Sequence, residues 1–144
     1  MPESFLSDDT ATEALGEALS RITPPGGTWL LHGDLGAGKT TWTRGFVRGL
    51  GGDPDDVASP TYAVLHRYGH PAGRVFHLDL YRPGPKGVWS LGLEEYITAT
   101  DRLVVEWAGE DGPWPTVWVA HLWIETDGDG RWAKWTLPGK PTER

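Results

Sequence analysis

The stretch Gly33-Asp34-Leu35-Gly36-Ala37-Gly38-Lys39-Thr40 constrains this chain more than any other. It satisfies the pattern G-x-x-x-x-G-K-[ST] at every fixed position. The glycines let successive backbone N–H groups turn inward around phosphate oxygens, where a Cβ would collide. Lys39 supplies a compact positive charge for β- and γ-phosphates, and the Thr40 hydroxyl suits Mg²⁺. A chain with 20 glycines can match such a pattern by chance, so the flanks matter. Before the loop, Thr28-Trp29-Leu30-Leu31-His32 reads as a short buried strand. After it, residues 41–50 carry Trp42, Phe46, Val47 and Leu50 at helical spacing. That order puts the loop at a helix N-terminus, where free N–H groups and the helix dipole favour an anion. A glycine-rich turn of purely structural use would not need Lys-Thr there. The expected fold is α/β, a three-layer P-loop NTPase-like domain.

Length and charge narrow the possibilities. The 144 residues suit one domain over residues 1–144, with a frayed tail after about residue 138. That leaves little room for a lid or an inserted specificity domain. No apolar run approaches the roughly 20 residues needed to span a bilayer. The start, MPESFLSDDT, is acidic and has no secretion-signal pattern. Cysteine is absent, so there is no disulfide partner, and a cytoplasmic location is expected. A net charge of −7 attracts neither nucleic acid nor anionic membrane non-specifically. Any RNA contact would come mainly through a partner. The chain also lacks Asn and Gln altogether. It therefore cannot carry the Asn-Lys-x-Asp guanine reader or the water-orienting Gln of Ras-type GTPases. Adenine is the expected base.

Elsewhere, residues 7–22 read as an amphipathic helix with Ala14, Leu15, Ala18, Leu19 and Ile22 on one face, capped by Ser7 or Thr10. Residues 63–68 and 74–81 read as two strands joined too tightly for a crossover, hence an antiparallel hairpin. Residues 88–97 read as a short helix, and residues 102–106 as a buried strand ending in an acid. Residues 117–125 and 132–137 flank Asp127-Gly128-Asp129-Gly130 and form a final hairpin. The sheet should therefore be mixed, a parallel core with antiparallel hairpins.

Several residues beyond the loop carry candidate chemistry. In His77-Leu78-Asp79-Leu80-Tyr81-Arg82, strand alternation sends His77, Asp79 and Tyr81 to one face. An acid among apolar neighbours is costly without a task or a partner. Asp79 either orients water near a γ-phosphate or pairs with His77 or Arg82. Glu106 ends its apolar strand as the metal-holding acid of many phosphate-loop ATPases does, or it is simply solvent-exposed. Trp107 either shields the site or packs in the core. Ser59-Pro60-Thr61-Tyr62 occupies the interval where such proteins often place a γ-phosphate-sensing switch.

The order of these motifs, with Leu91-Gly92-Leu93-Glu94-Glu95-Tyr96 and Glu106-Trp107 completing it, resembles the bacterial TsaE family, the small ATPase of tRNA threonylcarbamoyladenosine biosynthesis. The resemblance runs from the first helix to Trp107. It implies a cytoplasmic ATPase that binds ATP and ADP with Mg²⁺. It also implies two partners, a TsaB-like and a TsaD-like protein, with tRNA met mainly through that complex. The ATPase would support repeated turnover rather than perform the transfer. By motif match, residues 33–41, Thr41 included, form the nucleotide loop. Lys39 acts there on phosphate, Thr40 and Glu106 hold the metal, Asp79 serves hydrolysis, and Thr61 is the switch residue. Trp107 completes the Glu-Trp pair beside the nucleotide.

Five of the nine tryptophans (Trp114, Trp118, Trp123, Trp132, Trp135) follow the last shared motif. Odd spacings within each strand prevent both of its rings from facing one side, so some should be exposed. Most are expected to thicken the core, with an apolar docking surface as the alternative. Two other functions remain open. A small-molecule kinase could use Arg67, Arg74 and Arg82 to clamp an acceptor phosphate, though it needs a water-excluding lid. A nucleotide-gated adaptor would bind ATP without significant hydrolysis.

Overall fold

The computed structural model describes residues 2–33, 38–57, 65–71, 73–79, 101–106 and 118–138. They form seven strands, β1 (Glu3–Leu6), β2 (Thr28–His32), β3 (Leu65–His70), β4 (Gly73–Asp79), β5 (Arg102–Glu106), β6 (Val119–Asp127) and β7 (Gly130–Thr136). Two α-helices, α1 (Asp9–Arg21) and α2 (Lys39–Gly49), and a 3-10 turn at Pro54–Asp56 complete them. One sheet takes all seven strands in the order β1-β7-β6-β2-β5-β4-β3. Its centre is parallel: β2 runs alongside both β5 and β6, and β4 alongside β5. The β3–β4, β6–β7 and β1–β7 pairs are antiparallel. The sheet is mixed, as the hairpin signals required.

Burial on the central strands follows from parallel pairing. Every residue of β5 is buried, as are the first four of β2. Trp29 and Leu31 of β2 join Val104, Ala120, Leu122 and Ile124 under Trp42, Phe46 and Val47 of α2. Trp29 packs on Trp42 at 5.5 Å between ring centroids. Burying side chains of this size contributes about 1.5–3 kcal/mol each. Both described helices serve this face of the sheet. Leu30, Phe76, Leu78, Leu103 and Val105, of opposite strand parity, are buried as well.

Three details depart from the sequence reading. Helix α1 is capped by Asp8, whose carboxylate accepts from the Ala11 N–H at 2.8 Å, not by Ser7 or Thr10. Its buried face is Thr12, Gly16, Leu19 and Ser20, whereas Ala14, Ala18 and Ile22 are exposed. The cause is close backbone approach to α2. A Cβ on Gly16 would lie 2.1 Å from the Trp42 carbonyl oxygen, and one on Gly45 would lie 1.8 Å from that of Glu13. Small residues, not the largest apolar ones, set the contact line. Finally, β1 was not foreseen. Only Leu6 of its four residues is buried, so the strand carries almost no alternation signal and exists because β7 offers it an edge. The expected helix at residues 88–97 lies outside the described residues.

Candidate functional site

The site lies where β2 gives way to α2. Gly33 follows β2 with φ of 150°, and a Cβ there would meet the Ile124 carbonyl oxygen at 2.3 Å. Gly38 precedes α2 with φ of 108°, and as N-cap it brings no side chain to the helix start. The first N–H groups of α2 receive no bond from a cap side chain at Gly38, which suits an external acceptor. Glycine is required at both ends of the loop, once by crowding and once by backbone conformation. Asp34, Leu35, Gly36 and Ala37 between them lie outside the described residues.

Lys39 opens α2 with only 4% of its surface exposed. Its Nζ donates to the Gly33 carbonyl at 2.6 Å, so the side chain folds back across the mouth of its own loop. A buried ammonium needs a counter-charge, and among the described residues Glu106 supplies one, at 3.9 Å. The register explains the meeting: Leu31, near the end of β2, pairs with Glu106 at the end of β5. The acid is therefore buried, not solvent-exposed. Thr40 and Thr41 sit on the first turn of α2, Thr41 buried and Thr40 half-buried.

Behind Glu106 runs a hydrogen-bonded chain. Its Oε2 accepts from His77 Nε2 at 2.5 Å, and the Tyr68 hydroxyl hydrogen-bonds His77 Nδ1 at 3.1 Å. With Glu106 as carboxylate, which can only accept, the proton of this bond sits on Nε2. Both nitrogens of His77 are engaged by these two groups, and the ring is wholly buried. The sequence singled out His77 only as a possible partner for Asp79. Its link to Glu106 depends on the parallel β4–β5 pairing, which local sequence does not announce. Asp79 ends β4 opposite Glu106 in the ladder, so the backbone brings the two acidic positions side by side. Thr61 and Trp107 lie outside the described residues.

Two further groups border the loop without having been foreseen. Arg131 of β7 lies against Gly38, where an added Cβ would come within 2.7 Å of its guanidinium. It is held by Asp9 at 2.7 Å and the Thr12 hydroxyl at 3.0 Å. His32, directly before Gly33, hydrogen-bonds His121 through Nε2 and Nδ1 at 2.9 Å. Burial is the main force lowering the His32 pKa below its ordinary value, with His121 and Lys39 adding to it; burial alone lowers that of His121. Burial therefore favours the neutral form of both rings. Arg74, considered as a phosphate clamp, is bound to Asp101 at 2.9 Å near the start of β4, the end remote from Asp79.

Together the fold and the site define a class: a mixed α/β protein in which a G-x-x-x-x-G-K-T segment joins a central parallel strand to an uncapped helix, with a buried acid on the neighbouring strand facing the lysine. The family model described as threonylcarbamoyl adenosine biosynthesis protein TsaE matches residues 6–131. The chain belongs to the TsaE family. The tRNA threonylcarbamoyladenosine biosynthesis protein TsaE of Nostoc sp. is 34% identical over 140 residues, 94% of this chain and 86% of that one. The protein of the same name from Bacillus subtilis is 39% identical over 97 residues, 67% of this chain and 60% of that one. The match thus spans less than two thirds of the Bacillus relative. A crystal structure of Bacillus subtilis YdiB superposes with a TM-score of 0.72 at 28% identity, covering 96% of this chain and 86% of that one.

Proposed function

We propose that this protein is the ATP-binding and ATP-hydrolysing component of tRNA threonylcarbamoyladenosine biosynthesis, acting with a TsaB-like and a TsaD-like partner that meet the tRNA. Its domain is a three-layer P-loop NTPase-like fold, supported by a single sheet that runs from Glu3 to Thr136. The observation that carries the reading is the buried pair of Lys39 and Glu106 at the uncapped start of α2. Nucleotide phosphates would take the helix N–H groups and the Lys39 ammonium, which would exchange its bond to Gly33 for a stronger charge-assisted one. The Thr40 hydroxyl and the Glu106 carboxylate are hard oxygen donors and fit Mg²⁺. Bound there, Mg²⁺ would neutralise phosphate charge. Asp79 orients the attacking water, and Thr61 reports the γ-phosphate to the partners. Thr41 and Trp107 complete the nucleotide site.

The decisive experiment mixes the protein with the two transfer proteins, tRNA, threonylcarbamoyl-adenylate and ATP. Modification should continue past one turnover only when this chain and hydrolysable ATP are both present. Single-turnover behaviour unchanged by the chain would overturn the assignment. Of the three arginines that a kinase could use as a clamp, Arg74 is committed to Asp101, and Arg82 lies outside the described residues.

A further inference from the structure

On the face of β1, β7 and β6 turned away from α1 and α2, three large aromatic side chains lie in the open. Phe5 is 47% exposed, Trp132 40% and Trp123 36%. Strand parity explains them: Ala133 of β7 and Leu122 and Ile124 of β6 face the core, so Trp132 and Trp123 must face outward. Phe5 sits opposite Trp132 in the ladder and meets it edge-on at 5.3 Å. Glu125 stands opposite Trp132, and Lys134 opposite Trp123. Trp123, Glu125, Trp132 and Lys134 enclose a cleft of about 250 Å³. Exposed aromatics gathered around a cleft mark an interaction site more often than rings scattered singly.

Charge decides what fits. The one ammonium in the cleft, Lys134, is offset by Glu3 at 3.9 Å. Glu125 and Asp127 have no ion pair among the described residues, and Asp127 instead accepts from Trp132 Nε1 at 2.9 Å. The surface is thus indole faces beside carboxylates. Nucleic acid would find rings to stack on but would bring phosphates against these acids. A second copy, in a two-fold pairing, would set the same acids against each other on a chain of net charge −7. An arginine of another protein suits both features, since its plane stacks on Trp and its N–H groups reach a carboxylate. The geometry points to this cleft as the docking site of a partner-protein segment that presents arginine among apolar residues, with Trp123 and Trp132 sandwiching the cation and Glu125 receiving it. The site borders the loop: Trp123 stacks on His32 at 5.1 Å, and His32 precedes Gly33, whose carbonyl holds Lys39. The inference rests on the proposed function only in expecting the two transfer proteins to carry that segment.

Two probes test it separately from that reading. The first is a nine-residue peptide alternating arginine and leucine, titrated against the intact protein by calorimetry, with a glutamate-for-arginine peptide as control. The arginine peptide should bind with a Kd below about 1 mM, and Trp123→Ala and Glu125→Arg should each weaken it about tenfold. The control peptide should not bind. The second probe is the pair of transfer proteins, whose affinity should fall about tenfold in the same two variants while ATP affinity stays within about twofold. Absence of peptide binding to the unaltered protein, or binding that both variants leave intact, overturns the cleft. Peptide binding by a chain that ignores the transfer proteins leaves the cleft standing and overturns their role. Loss of tRNA binding, or of self-association in sedimentation, in place of peptide binding would assign the face to RNA or to a second copy and overturn the proposal.

Discussion

Replacing His77 with leucine should separate the polar chain behind Glu106 from the packing around it. The substitution keeps much of the side-chain volume and removes both hydrogen bonds. Glu106 Oε2 loses its partner at 2.5 Å, and the Tyr68 hydroxyl loses its partner at 3.1 Å. Both groups stay buried, with Tyr68 at 2% and Glu106 at 5% exposure. A buried group that loses such a bond costs about 1–3 kcal/mol, toward the upper end when charged. Glu106 keeps Lys39 at 3.9 Å, which limits its share. The expected loss is about 3–4 kcal/mol, a large part of the 5–15 kcal/mol typical of a domain. Tyr68→Phe alone should cost about 1 kcal/mol, the net worth of one ordinary hydrogen bond. The double variant should cost less than the sum, since the Tyr68–His77 bond, broken in each single variant, is then counted only once. Urea unfolding followed by far-ultraviolet circular dichroism gives these numbers directly. A loss below about 1 kcal/mol for His77→Leu, or strict additivity, would refute the chain as a cooperative unit.

Three other outcomes are expected. Lys39→Ala should lower ATP and ADP affinity by about 1.5–3 kcal/mol in calorimetry, the worth of a charge-assisted contact, and GTP should not be preferred. Asp79→Ala should leave ATP affinity within several-fold while hydrolysis collapses, whereas Glu106→Ala should chiefly weaken the Mg²⁺ dependence of nucleotide binding; intact hydrolysis in the first would remove Asp79 from the reaction. The folded protein holds His32 and His121 below their ordinary pKa of 6.5, so as pH falls the unfolded chain protonates first. The stability these rings contribute is complete above about pH 6.5 and declines as pH drops through it. Urea midpoints measured on either side of that value should show the slope, and His121→Gln should flatten it.

Chain order alone located much of the scaffold. The boundaries of β2 and β5 were legible because a strand buried on both faces reads as an unbroken apolar run, and Thr28-Trp29-Leu30-Leu31-His32 and Arg102-Leu103-Val104-Val105-Glu106 show it. The hairpins were legible because short glycine-rich connections permit nothing else, although β3 and β4 come closer together, at His70 and Gly73, than the turn residues suggested. Parity required that some rings of the last hairpin turn outward, and burial of Leu122, Ile124 and Ala133 made them Trp123 and Trp132. Helix α1 misled at its contact face because its packing depends on which residues let two backbones touch, and Gly16 announces that only once Trp42 lies opposite.

By itself, the sequence determined the loop, its lysine and the alternation of strand and helix around it, because each is written in adjacent residues and obeys local geometry. Only the tertiary structure decided what faces the lysine. Glu106 reaches Lys39 because β5 pairs in parallel with β2, and His77 reaches Glu106 because β4 pairs in the same sense with β5. Arg131 reaches Gly38 across an interval of more than 90 residues because β7 returns the chain beside α1. Such contacts depend on strand order and register, which arise from how whole faces are buried together and leave no mark in the local run of residues.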